Sequence, residues 1–205
     1  MNNFHWASLV SMAFLAVSPA AAADLALVNC VVFDGVEEAV RSDVTVLVQG
    51  RKIERIVAAA EAPPAGYEVI DCAGNTLVPG LIDAHTHLDN ADAMKRALDS
   101  GTTTVRSAGV PAFQDVGLRE LVRVGALAGP DVVAAGVYVT PDLEDSLLAD
   151  PRLAGLFDGV RTEDELRLVV RVNADRGVDV IKTRDTDPRE QVYTRGQLEI
   201  VAGPG

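Results

Sequence analysis

From Asp83 onward, β-type runs alternate with helical ones, and no other feature limits the fold of this chain so strongly. Within the stretch Leu77 to Asp89 an apolar strand is entered through Pro79-Gly80 and leaves in the pair His85-x-His87. Ala91 to Ser100 has helical spacing, with Asp89 or Asn90 as N-cap and Gly101 as the stop. Thr102 to Arg106 (TTTVR) is β-branched, Asp115 to Ala128 is helical up to Gly129-Pro130, and Asp131 to Tyr138 (DVVAAGVY) is the next strand. Thr162-x-x-Glu165 is a capping box that opens a helix running to Arg176 and stopping at Gly177. Val178 to Thr183 (VDVIKT) follows as a fourth strand, and Thr194-x-x-Gln197 opens a further helix. Alternation of this kind predicts parallel βα units. About four in a row predict an α/β fold, the first half of a TIM-type β/α barrel over residues 79–205, with functional residues at the carboxyl ends of its strands. The one long irregular connection, Tyr138 to Phe157, reads either as a lid or substrate loop or as a plain surface excursion.

The region before Pro79 has a different rhythm. Short β-type runs at Leu25–Phe33, Val44–Val48, Lys52–Val57 and Tyr67–Asp71 are separated by turn signals at Asp34-Gly35, Gln49-Gly50 and Pro63-Pro64-Ala65-Gly66. They predict a small β-sandwich over residues 24–78. Residues 1–23 carry no Lys, Arg, Asp or Glu and end in Ala21-x-Ala23, which reads as a cleaved export signal. Its apolar run, Trp6 to Val17, is short for the roughly 20 residues of a membrane span. The expected location is therefore the periplasm or the exterior, with no stable membrane span. There Cys30 and Cys72 either form one disulfide or remain two buried thiols. The net charge of -12 is scattered along the chain, which argues against a nucleic-acid partner.

Candidate site residues sit where the barrel reading puts function. In an extended chain residues i and i+2 point the same way, so His85 and His87 present two imidazoles together, with Asp83 one step behind. Two neutral imidazoles are a chelate for a divalent ion. The only other histidine, His5, lies in the export segment. Lys182 on the fourth strand is either a barrel-facing ligand or a lysine reaching out toward Asp185 or Asp187. Arg106 ends the second strand, where its planar fork suits a substrate carboxylate or a loop acid.

The stretch Val78-Pro-Gly-Leu-Ile-Asp-Ala-His-Thr-His-Leu-Asp89 resembles the first barrel strand of the amidohydrolase superfamily. Gly101-Thr-Thr-Thr-Val-Arg106 and Val178-Asp-Val-Ile-Lys182 resemble its prolidase and imidazolonepropionase-type branch. The resemblance implies a metal-dependent hydrolase of amide, peptide or cyclic-amide bonds with a small-molecule substrate. His85, His87 and Lys182 would hold one or two divalent ions, zinc foremost, with Lys182 carboxylated to bridge them. Asp83 would orient the ligand strand and Arg106 would bind substrate. The family takes two further histidines and a proton-accepting aspartate from later strands, and no histidine follows His87. The proton-accepting aspartate is thus expected beyond Gly205, no catalytic residue is expected within the chain, and the chain reads as a truncated N-terminal half with little activity of its own. The alternative is a non-catalytic metal-binding or interaction remnant. Open barrel edges predict self-association.

Overall fold

The computed structural model describes residues 23–183 and 193–203. The export segment up to residue 22, Asp185 and Asp187, and the closing Pro204-Gly205 lie outside the described residues. Two compact units meet in sequence between Pro79 and Gly80.

The first unit is one mixed sheet. Strands β1 (Leu25–Val32), β2 (Arg41–Gln49), β3 (Lys52–Ala58) and β4 (Glu68–Asp71) stand in the order β3-β2-β1-β4, and β5 (Thr76–Leu77) also pairs with β1. β1 is antiparallel to β2 and parallel to β4 and β5. The β2–β3 hairpin turns through Gly50 and Arg51, since Gln49 faces Lys52 across the register. Two packed sheets were expected; the described residues form a single layer, because β4 and β5 add to the edge of β1 instead of starting a second sheet. Its core is a small cluster of Cys30, Val32, Val44 and Val46. Cys30 and Cys72 are bridged, with Cα atoms 5.2 Å apart.

The second unit is built from parallel strands with helical crossovers. β6 (Leu81–Thr86), β7 (Thr102–Ser107) and β8 (Asp131–Val133) lie in that order, all parallel. Helices α1 (Ala91–Asp99) and α2 (Gln114–Arg123) connect them, and α3 (Glu163–Asp175) precedes the segment 178–183. α4 (Arg195–Ala202) follows. Asn90 caps α1 by accepting from the Ala93 N–H at 2.9 Å, and both capping boxes, Thr162 with Glu165 and Thr194 with Gln197, are closed. α2 is shorter than its sequence pattern: Gly125 (φ 73°), not Gly129, turns the chain out of the helix.

The third strand also departs from expectation, and the reason is chemical. After Val133 four consecutive backbone N–H groups are taken by side chains instead of a neighbouring strand. Asp179 accepts from Ala134, Asp115 from both Ala135 and Gly136, and Asn173 from Val137. The segment 178–183 still runs parallel beside this stretch, through Val180 N–H to the Ala134 carbonyl and Val139 N–H to the Lys182 carbonyl. It lies beside the continuation of β8 without a regular ladder. The Tyr138–Phe157 connection contains two short 3-10 turns, Glu144–Leu148 and Pro151–Leu153. Leu143, Leu153 and Leu156 anchor it by burial in the core formed with α3. No helix among the described residues is long and apolar enough to cross a membrane.

Candidate functional site

β6 delivers the two histidines at its carboxyl end. Gly80 permits the strand's close start, since a Cβ there would lie 2.1 Å from the Thr103 hydroxyl on β7. The rings of His85 and His87 are 5.4 Å apart between centroids, inclined at 65°. Asp83 points its carboxylate back at the strand, accepting from the His85 N–H at 3.0 Å.

His87 is oriented from its Nδ1 side. That atom lies 2.8 Å from the Gly109 carbonyl and 3.1 Å from the Tyr138 hydroxyl. A carbonyl only accepts, so this contact places the proton on Nδ1 and leaves the lone pair on Nε2. Metal-binding histidines are commonly fixed in this way, by a hydrogen bond from the nitrogen that does not bind the ion. Gly109 has φ 104°, and a Cβ on it would come within 3.0 Å of the Tyr138 ring. Glycine is needed there both for the backbone angle and for the ring.

His85 and Lys182 line one cleft of about 480 Å³, together with Tyr138 and residues of the following loop, Asp142, Glu144, Asp145 and Ser146 among them. Lys182 also borders a smaller cavity of about 160 Å³ beside Arg106, Ser107 and Ala108. The Arg106 Nε donates to the Ala84 carbonyl at 2.8 Å, which ties its guanidinium to the strand that carries His85. The structure thus brings His85, His87 and Lys182 to the same end of the parallel sheet, and Arg106 lines the smaller cavity with Lys182 and not the cleft. Asp83 is engaged by backbone.

Among the described residues no group of three or more His, Cys, Asp or Glu side chains could hold a metal ion. The donor set in place is two imidazoles, one with its Nε2 lone pair free of that contact, and the Lys182 amine. It suits a borderline divalent ion such as zinc in ligand type, and it is partial in number. Sequence reasoning missed Tyr138 and Gly109. Tyr138 was visible as a polar aromatic closing the run DVVAAGVY, whereas the role of Gly109 depends on a backbone carbonyl that no side-chain pattern announces.

Residues 68–112, spanning β4 to the loop after β7 and both histidines, match the profile of the Amidohydrolase family. Over 47 residues the chain is 53% identical to the imidazolonepropionase of Idiomarina loihiensis, a match covering 22% of this chain and 12% of that protein. The solved structure of a Xaa-Pro dipeptidase with bound methionine in its active site superposes with a TM-score of 0.74 at 22% identity, which shows a common fold. That superposition covers 87% of this chain and 53% of the dipeptidase. A candidate prolidase from Bifidobacterium longum superposes with a TM-score of 0.71 at 27% identity, covering 89% of this chain and 46% of that one. The chain therefore spans about half the length of these solved structures. With the histidine strand, its partners in the parallel sheet and these likenesses together, the chain is similar to the N-terminal part of amidohydrolase-superfamily proteins.

Proposed function

We propose that the cleft at the carboxyl ends of β6, β7 and the 178–183 segment is the metal end of an amidohydrolase-type site that cleaves a C–N bond in an amide, peptide or cyclic amide. The observation that carries this reading is the convergence of His85 and Lys182 on one cleft, with His87 beside them and its Nδ1 held by Gly109. His85, His87 and Lys182 would hold one or two divalent ions, zinc being the best match to imidazole donors. Such an ion supplies a Lewis acid that polarises a carbonyl and acidifies water. In this reading the neutral Lys182 amine adds to carbon dioxide and loses one proton, which converts it to an anionic two-oxygen ligand. Asp83 fixes the strand through the His85 N–H, and Arg106, anchored by its Nε, has its remaining N–H donors for a substrate carboxylate.

The parallel β6-β7-β8 sheet with 178–183 in fourth place is read as the opening part of a β/α barrel. The disulfide supports a location in an oxidising compartment, outside the cytosol. The edge of β6 has no strand neighbour among the described residues, and Leu81 and Ile82 on it are exposed, which supports self-association there. The partial donor set favours a second reading, in which the 205-residue chain alone binds metal or a partner without turnover.

A zinc-loaded panel of dipeptides, N-acyl amino acids and ring amides separates the two. Turnover abolished by His85→Ala and by Lys182→Ala supports hydrolysis. Zinc binding at the histidines without turnover of any member supports the second reading.

A further inference from the structure

The wall of the cleft formed by the loop after Tyr138 is acidic and otherwise uncommitted. Asp142, Glu144 and Asp145 line it, and none of them forms an ion pair among the described residues. Asp142 spends one oxygen on the Glu144 N–H at 3.2 Å. Ser146 lines the same wall, is 6% exposed, and its hydroxyl makes no hydrogen bond among the described residues. A hydroxyl on a buried residue of the cleft lining is a vacant donor and acceptor. The carboxylates do not cluster tightly enough with one another or with a histidine to chelate a compact metal ion. They instead suit an extended organic cation, which the ring of Tyr138, also lining the cleft, would favour. The wall is held in place by its own packing, with Leu143 and Ser146 buried on either side of Glu144 and Asp145.

Resting on the amidohydrolase reading above, we propose that this wall selects substrates bearing an ammonium or guanidinium group near the scissile bond, with Asp142, Glu144 and Asp145 supplying the charge and Ser146 a hydrogen bond. The cation can come from a basic side chain or from a free α-amine, and the chemistry at the wall is common to both.

The test is equilibrium binding to the full 205-residue chain, by calorimetry or NMR titration, with and without zinc. Three probes separate the sources: Nα-acetyl-lysine amide, norleucine amide and the neutral Nα-acetyl-norleucine amide. At low salt one of the two cationic probes binds about five- to tenfold more tightly than the neutral one. The preference shrinks as salt is raised and disappears in the combined Asp142→Asn, Glu144→Gln, Asp145→Asn variant. Equal affinity for all three probes, a preference insensitive to salt, or no saturable binding of either cationic probe in the millimolar range overturns the proposal. Because the preference is read with and without zinc, failure of the wall is distinguishable from failure of the metal site, which shows as loss of zinc binding.

Discussion

Tyr138, Gly109 and His87 form a contact that no local pattern foretells, yet its energetics are simple. Substituting Gly109→Ala puts a Cβ against the Tyr138 ring and a side chain at φ 104°. The strained backbone costs about 1–3 kcal/mol, and displacement of the carbonyl from His87 lowers zinc affinity by about 10- to 100-fold. Urea denaturation and a zinc competition assay check the two effects separately. Tyr138→Phe keeps the carbonyl and has the smaller effect on zinc. The buried Asp115 carboxylate makes a second prediction at this scale, since it satisfies the N–H groups of Ala135 and Gly136. Asp115→Ala leaves two buried donors without partners and destabilises the second unit by about 2–4 kcal/mol, measurable by thermal or urea unfolding. The adjacency of the His85 and His87 rings was legible in the sequence because the two-residue period of a strand is local. The His87–Tyr138 contact spans 51 positions and depends on how the chain leaves β8, so it was not.

Elements followed the sequence where their signals are local and departed from it where distant side chains compete. Both capping boxes appear as read, since each needs only residues three apart. Thr162→Ala removes the hydroxyl that accepts from the Glu165 N–H and costs about 1 kcal/mol, measurable as a shift in the urea midpoint. The strand expected over Asp131 to Tyr138 ends at Val133 because Asp115, Asn173 and Asp179 supply the acceptors a neighbouring strand would have offered. Asp115 reaches it from α2, Asn173 from α3, and a pattern of apolar residues carries no trace of that substitution. Charge at the element ends gives a pH prediction. In the first unit the Val36 and Glu37 N–H groups and the Arg41 guanidinium hold the Asp34 carboxyl at about 2. In the second, Arg152 and Arg176 hold the buried Asp150 well below the carboxylate range. Both groups bind fewer protons folded than unfolded below an unfolded value of about 3.9, so their stabilisation is complete above that pH and is lost as pH falls. Asp34→Asn therefore flattens the acid limb of the stability profile between about pH 4 and 2, checked by urea unfolding across that range.

At the scale of the molecule the two units depend on different supports. The first has a small core and a disulfide closing a sequence separation of 42 residues between Cys30 and Cys72. Its reduction removes about 4 kcal/mol of stability by loop entropy, and limited proteolysis with and without reductant should show the first unit digested first. The second has the larger core and the candidate metal end, with a β6 edge unpaired among the described residues that predicts concentration-dependent association in sedimentation experiments. The account rests on the histidines at the end of β6 forming a metal site with Lys182. The most direct test is cobalt titration of the full chain followed by visible absorption, comparing the wild type with the His85→Ala, His87→Ala double variant. Saturable binding with the ligand-field bands of an imidazole site in the wild type, lost in the double variant, is the predicted result. Cobalt binding of the same stoichiometry and spectrum in both proteins would contradict it.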